Sequence, residues 1–321
     1  MLNKRKAISI LVFVALLFAL FQLAIYEVFT KRCLCDYSPE MQARSVEISK
    51  YLPFDDHAQN ANCDTDFQLT GELPILDSAA ALYPITASIV NAVYPSGCYQ
   101  YDATTNQFSD DSSLQMNNTP KAYKKIVDGD TDIALLAPPS EEQKAYAEEK
   151  GVSLEFVPVG KEAFVFLVNA DNPINSLTTD QIRDIYSGKV RNWSELGGKN
   201  AHIAALQRNE GSGSQSSFLR FMGDITPQKD YLTFLGSAIG FSFRFYVDGM
   251  VADNGVKMLA LDGVFPSKEN VRNESYPIVN TFFAVYRTDN ANPNVKKLLE
   301  WMLSDECQGI IEDTGYVSVN G

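Results

Sequence analysis

From Glu72 onward the sequence alternates apolar runs of strand length with segments that carry helix start signals, and this alternation limits the fold more than any other feature. Strands are predicted at residues 132–136, 154–159, 164–168, 203–206 and 281–286, and helices at 84–93, at 120–128 and after Ser140. Strands that take turns with helices form a sheet with helices packed on its two faces, so the expected fold class is α/β. Thr178 with Gln181, and Ser140 with Gln143, have the spacing of a capping box, in which two side chains satisfy the free backbone N–H groups of a helix start. With 45% hydrophobic and 21% charged residues, the 321-residue chain has enough apolar material for a sizeable core. Its length suits one large domain or two lobes of about 100–150 residues.

Ahead of that pattern, residues 7–26 carry no charge and are long enough to cross a hydrocarbon core of about 30 Å as a helix. Lys4, Arg5 and Lys6 precede the run, whereas Lys31 and Arg32 beyond it are offset by Glu27 and Asp36. This bias orients the N-terminus to the cytoplasm and the remainder to the outside. The run is followed by Glu27-Val28-Phe29 rather than by the small residues of a cleavage site, so residues 1–32 are expected to be a cytoplasmic N-terminus and a retained transmembrane anchor. Residues 33–71, rich in Asp, Asn and Gln and without apolar periodicity, read as a stalk.

Taking the three charges of Lys4, Arg5 and Lys6 out of the formal net charge of −13 leaves −16 on everything beyond the span. Such a surface repels nucleic acid and anionic headgroups, which excludes nucleic acid as a partner. Oriented N–H groups and one buried cation can still hold an anion locally. Five cysteines suit an oxidising compartment, with Cys63 and Cys98 the expected pair, although the odd number fits free thiols equally. His57 and His202 are the only histidines, so neither a zinc site nor a cofactor is expected.

Three helix starts have chemistry that could face a ligand. Leu82-Tyr83-Pro84 and Thr119-Pro120 each place a proline where its missing N–H costs nothing. Gly211-Ser212-Gly213-Ser214 adds two glycines that let backbone approach a ligand, two hydroxyls, and Arg208 just upstream. Free N–H groups at the positive end of a helix dipole bind anions.

At this point the sequence resembles the phosphate-binding proteins of ABC importers. The resemblance rests on Asn172-Pro173 through Gly188-Lys189 and Asn192-Trp193, on Gln207 through Gln215, on Asp262 through Pro266 with Tyr276-Pro277, and on Gly315-Tyr316-Val317. It implies a two-lobed, type II periplasmic-binding-protein-like domain, with lobe one over residues 72–162 plus 279–321 and lobe two over 163–278. It also implies oxyanion contacts from Arg208, Ser212, Gly213, Ser214, Thr119 and the backbone of Tyr83, with Glu210 orienting the arginine. Two positions depart from the family. Leu82 replaces a threonine, and Ala137 replaces the carboxylate that accepts a proton from phosphate, which removes the filter against sulfate.

The expected function is extracytoplasmic capture of phosphate or a similar small oxyanion for an ABC permease. The alternative is a membrane-tethered sensor or scaffold of the same fold. An enzyme is not expected, because a serine nucleophile at Ser212 or Ser214 would need a general base, and His57 falls in the expected stalk while His202 opens a strand. Lys161 and Arg244 are further cations that could reach a cleft.

Overall fold

The computed structural model describes residues 13–14, 16–23, 47–229, 237–250 and 255–320, and comprises two units, 1–39 and 40–321. In the first unit, residues 16–23 are helical with exposed apolar side chains. Among the described residues no helix is long and apolar enough to cross a membrane. Residues 7–12, 15 and 24–26 of the expected span, together with Cys33 and Cys35, lie outside the described residues.

The second unit begins with β1 (Leu76–Ser78), α1 (Tyr83–Val93), the hairpin β2 (Tyr101–Asp102) and β3 (Gln107–Phe108), α2 (Thr119–Asp128), β4 (Ile133–Leu136), α3 (Glu141–Glu149) and β5 (Leu154–Asn169). It continues with β6 (Ser176–Leu177), α4 (Thr179–Tyr186), β7 (Ile203–Ala205), α5 (Gly213–Met222), β8 (Ser237–Phe243), a π-helical turn (Tyr246–Met250), β9 (Val256–Met258) and β10 (Ala260–Leu261). The chain closes with α6 (Lys268–Arg272), β11 (Val279–Arg287), α7 (Pro293–Met302), α8 (Asp305–Thr314) and β12 (Val317–Ser318).

One sheet runs in the order β1-β4-β11-β5-β8-β7, with β9 and β12 also paired to β5. The outer pairs β1–β4 and β7–β8 are parallel, while β11 and β5 are antiparallel to their neighbours. The two strands predicted at 154–159 and 164–168 are one strand of 16 residues. Gly160-Lys161-Glu162 interrupts the apolar pattern without ending the ladder, because all three still pair with Thr281, Phe282 and Asn280 of β11. The register slips between Phe282 and Phe283, where Pro158, lacking an N–H, stands at the irregularity. Gly160 is required there, since a Cβ would fall 2.2 Å from Cζ of Phe282.

Two lobes follow from two apolar cores on either side of this ladder. One gathers α1, α7 and α8 around Ile85, Val90, Leu298 and Ile311, and α2 and α3 cover the opposite face of the same strands. The other begins at Ala163 and is dominated by rings, with Phe218 and Phe241 stacked at 4.4 Å and Tyr186 4.6 Å from Phe218. Both predicted capping boxes form, at Ser140 and Thr178.

The described part of the expected stalk is not a stalk. Residues 47–71 pack on the first core, with Ile48, Tyr51 and Leu69 buried and Phe67 stacked on Trp301 at 5.8 Å. Its hydrogen bonds also end on the folded body: Ala61 donates to Ser88, Leu69 to Val93 and Thr65 to Glu306. Four apolar side chains spaced without period are enough to hold an irregular segment, which explains why a search for periodicity passed over them. The expected Cys63–Cys98 bridge is absent and both thiols are free; Cys63 lies instead beside Glu306 and Cys307.

Candidate functional site: an oxyanion cleft

A cleft of about 390 Å³ lies between the two cores, and Leu82, Thr119, Ala137, Arg208, Ser212, Gly213 and Ser214 line it together. The remaining residue expected to face a ligand, Tyr83, turns its ring into the core, where its hydroxyl is unpaired. As the first residue of α1 it has only its backbone N–H to offer.

Sequence position explains how the groups converge. Ser212 caps α5 and accepts from the N–H of Gln215 at 3.2 Å, so the N–H groups of Gly213 and Ser214 at the helix start have no intrahelical acceptor. The cap of α2 is Asn118, which accepts from the N–H of Lys121 at 2.9 Å, while Thr119 is the first helical residue. The Thr119 hydroxyl is thereby released to the cleft. The two helix starts meet closely: a Cβ on Gly213 would stand 3.2 Å from Oγ1 of Thr119 and 3.4 Å from Cβ of Ala137.

Arg208 supplies the charge. Its backbone N–H donates to Oε1 of Gln215, which fixes the loop, and among the described residues its guanidinium has no ion pair. Burial holds its pKa below the usual guanidinium value, with Tyr246 acting in the opposite direction, so the site contains a partly desolvated cation. Among the described residues Glu210 makes no hydrogen bond or ion pair with it. Glu210 is exposed and faces a shallow recess beside Pro120 and Gln143.

The other cations are engaged elsewhere. Lys161 pairs with Glu274 at 2.7 Å. Arg244 donates to the carbonyl of Gly315 and forms an ion pair with Oε1 of Glu162 at 3.2 Å.

Glu162 is the residue that sequence reasoning missed. It is 3% exposed, lines the cleft, and accepts from the N–H groups of Ala163 and Phe245 at 2.9 and 3.2 Å. Burial pushes its carboxyl up to about 7, with Arg244 pulling the other way. Opposite it on β11 stands Asn280, whose Nδ2 is buried without a partner and which also lines the cleft. A charged residue between two apolar runs of one strand was the available signal for Glu162.

A PBP superfamily domain matches residues 100–306. The chain belongs to the PBP superfamily. Its superfamily relatives include the phosphate-binding protein PstS of Bacillus subtilis (strain 168), 27% identical over 222 residues, which are 65% of this chain and 71% of the relative. The fold is similar to that of a putative phosphate ABC transporter substrate-binding protein with bound phosphate from Clostridium perfringens, at TM-score 0.57 and 24% identity, covering 76% of this chain and 98% of the other. It is similar also to an ABC-type phosphate transport receptor from Vibrio cholerae, at TM-score 0.53 and 19% identity, covering 76% and 99%. Superfamily membership and these likenesses establish the two-lobed architecture.

Proposed function

We propose that this chain is a solute-binding protein that captures phosphate or a related oxyanion outside the cytoplasm and presents it to an ABC permease. The observation that carries the reading is a half-buried arginine, with no ion pair among the described residues, sharing one cleft with the free N–H groups of Gly213 and Ser214 and the hydroxyl of Thr119. Donors of this kind, preorganised and partly removed from water, suit a tetrahedral anion. The names of the relatives support phosphate as the anion and import as the task. Lobe one is proposed over residues 72–162 plus 279–321, joined by the packed segment 47–71, and lobe two over 163–278; the start of the second core at Ala163 supports the first boundary between them. The uncharged run 7–26 behind Lys4-Arg5-Lys6 supports a membrane anchor that keeps the domain outside the cell.

The deciding experiment is calorimetric titration of the domain with phosphate. Arg208→Ala should weaken binding by about 30-fold to several-thousand-fold, the equivalent of roughly 2–5 kcal/mol for a desolvated charge pair. Affinity within threefold of the parent would remove the cleft as the site. The apolar wall at Ala137 and Leu82 keeps the sensor or scaffold reading open, and a permease that associates with the phosphate-loaded protein only would close it.

A further inference from the structure

The cleft is larger than its anion socket requires. A water molecule occupies about 30 Å³ of liquid, so about 390 Å³ holds far more than a tetrahedral anion of five heavy atoms. That volume falls in the range, roughly 300–1,000 Å³, that organic ligands occupy. Much of the remaining lining is apolar, with Ala80, Ala81, Leu82, Met116 and Phe282 alongside polar Asn118 and Thr281. Leu82 and Ala137, which stand beside the socket, present only hydrocarbon to the cleft. Hydrocarbon suits a ligand that presents carbon there, because a bare anion would leave oxygens facing groups that cannot bond them.

The wall ends on a polar pair. Asn280 and Glu162 are directly opposed on antiparallel strands, which sets their side chains on one face about 5 Å apart at Cβ. They share no hydrogen bond, and Nδ2 of Asn280 is buried without a partner although both residues line the cleft. A buried donor left unmet is destabilising. A ligand hydroxyl resolves it, accepting from the amide of Asn280 while donating to the Glu162 carboxylate.

We propose that the cleft takes a phosphoryl or phosphonyl group bearing a short, hydroxyl-ended organic substituent, with the head on Arg208, Thr119 and the start of α5 and the hydroxyl between Asn280 and Glu162. The proposal rests on the oxyanion reading above and refines its substrate class. Calorimetry of the parent protein with inorganic phosphate, ethylphosphonate, 2-hydroxyethylphosphonate and glycerol 3-phosphate tests it. At least one hydroxylated compound should bind tenfold or more tighter than inorganic phosphate, and ethylphosphonate should fall between them. Which hydroxylated compound wins distinguishes a phosphonate from a phosphate ester.

Asn280→Ala should weaken the hydroxylated ligand about tenfold and leave inorganic phosphate within threefold. Ala80→Leu, filling the wall, should weaken every organic ligand and spare phosphate. Asn280→Ser serves in place of Asn280→Ala if a melting curve shows the latter misfolded. Inorganic phosphate binding as tightly as every organic compound overturns the proposal, as does an equal effect of Asn280→Ala on all ligands. If Arg208→Ala still abolishes phosphate binding in that case, the oxyanion reading survives alone. Failure of the parent to bind any of the four anions overturns both.

Discussion

Gly213 stands where the helix starts of the two lobes come within van der Waals reach. A methyl group at that position would press on Oγ1 of Thr119 from 3.2 Å and on Cβ of Ala137 from 3.4 Å. Gly213→Ala should leave the thermal midpoint nearly unchanged, since alanine suits the first turn of α5, while lobe closure and hence affinity suffer. A loss of about tenfold in phosphate affinity, near 1.4 kcal/mol, is expected, and calorimetry that finds no change would mean that the lobes close elsewhere. Glu162 gives a second prediction at this scale. Its folded pKa, about 7, lies above the ordinary value of 4.5, so the folded state binds the proton more tightly than the unfolded chain. The stabilisation is complete below about pH 4.5 and is lost as pH rises through about 7. Asp77, which burial pushes up to about 6, acts in the same direction. Glu162→Gln should therefore flatten, but not abolish, the decline of the melting temperature between pH 5 and 7.5, and a parallel pair of melting curves would contradict the assignment.

Among elements, the segment 47–71 invites the most direct test. Ile48, Tyr51 and Leu69 are each buried in the first core, and a fully buried apolar side chain of this size is worth about 1.5–3 kcal/mol. Their sum is comparable with the whole stability of a domain, about 5–15 kcal/mol. A protein beginning at Glu47 should melt like the full chain, whereas one beginning at Glu72 should lose about 10 °C or more, or fail to fold. Equal melting temperatures would restore the stalk. The same segment shows what could be read from sequence alone. The helix starts at Ser140, Thr178 and Ser212 were legible because capping is local and depends on side chains three residues apart. β1, β12 and the packing of 47–71 were not, since strands of two or three residues and an aperiodic segment draw their stability from partners far away in the chain. The cleft was read for the most part through its loop motif, while Glu162 and Asn280 became visible only once the two long strands were paired.

For the whole molecule, closure is held by contacts that cross the cleft mouth. Nε2 of Gln143 donates to the carbonyl of Gly211 at 3.0 Å, and Arg220 reaches the carbonyl of Pro138 at 3.5 Å. Gln143→Ala should shift the protein without ligand toward an open arrangement, seen as a larger radius of gyration in solution scattering, and should weaken phosphate by the fraction of closed form lost. An unchanged radius together with unchanged affinity would show that Gln143 is no latch. The deeper constraint lies in β5, which pairs with β11 from Leu154 to Ala163 and with β8 from Phe164 to Val168. The hinge between the lobes is thus a continuous ladder rather than a linker, and neither lobe can melt without stripping hydrogen bonds from a strand that the other still needs. The two lobes therefore share one folding unit: denaturant should unfold them in a single cooperative transition, and the amides around Glu162 should be among the last to exchange with solvent deuterium.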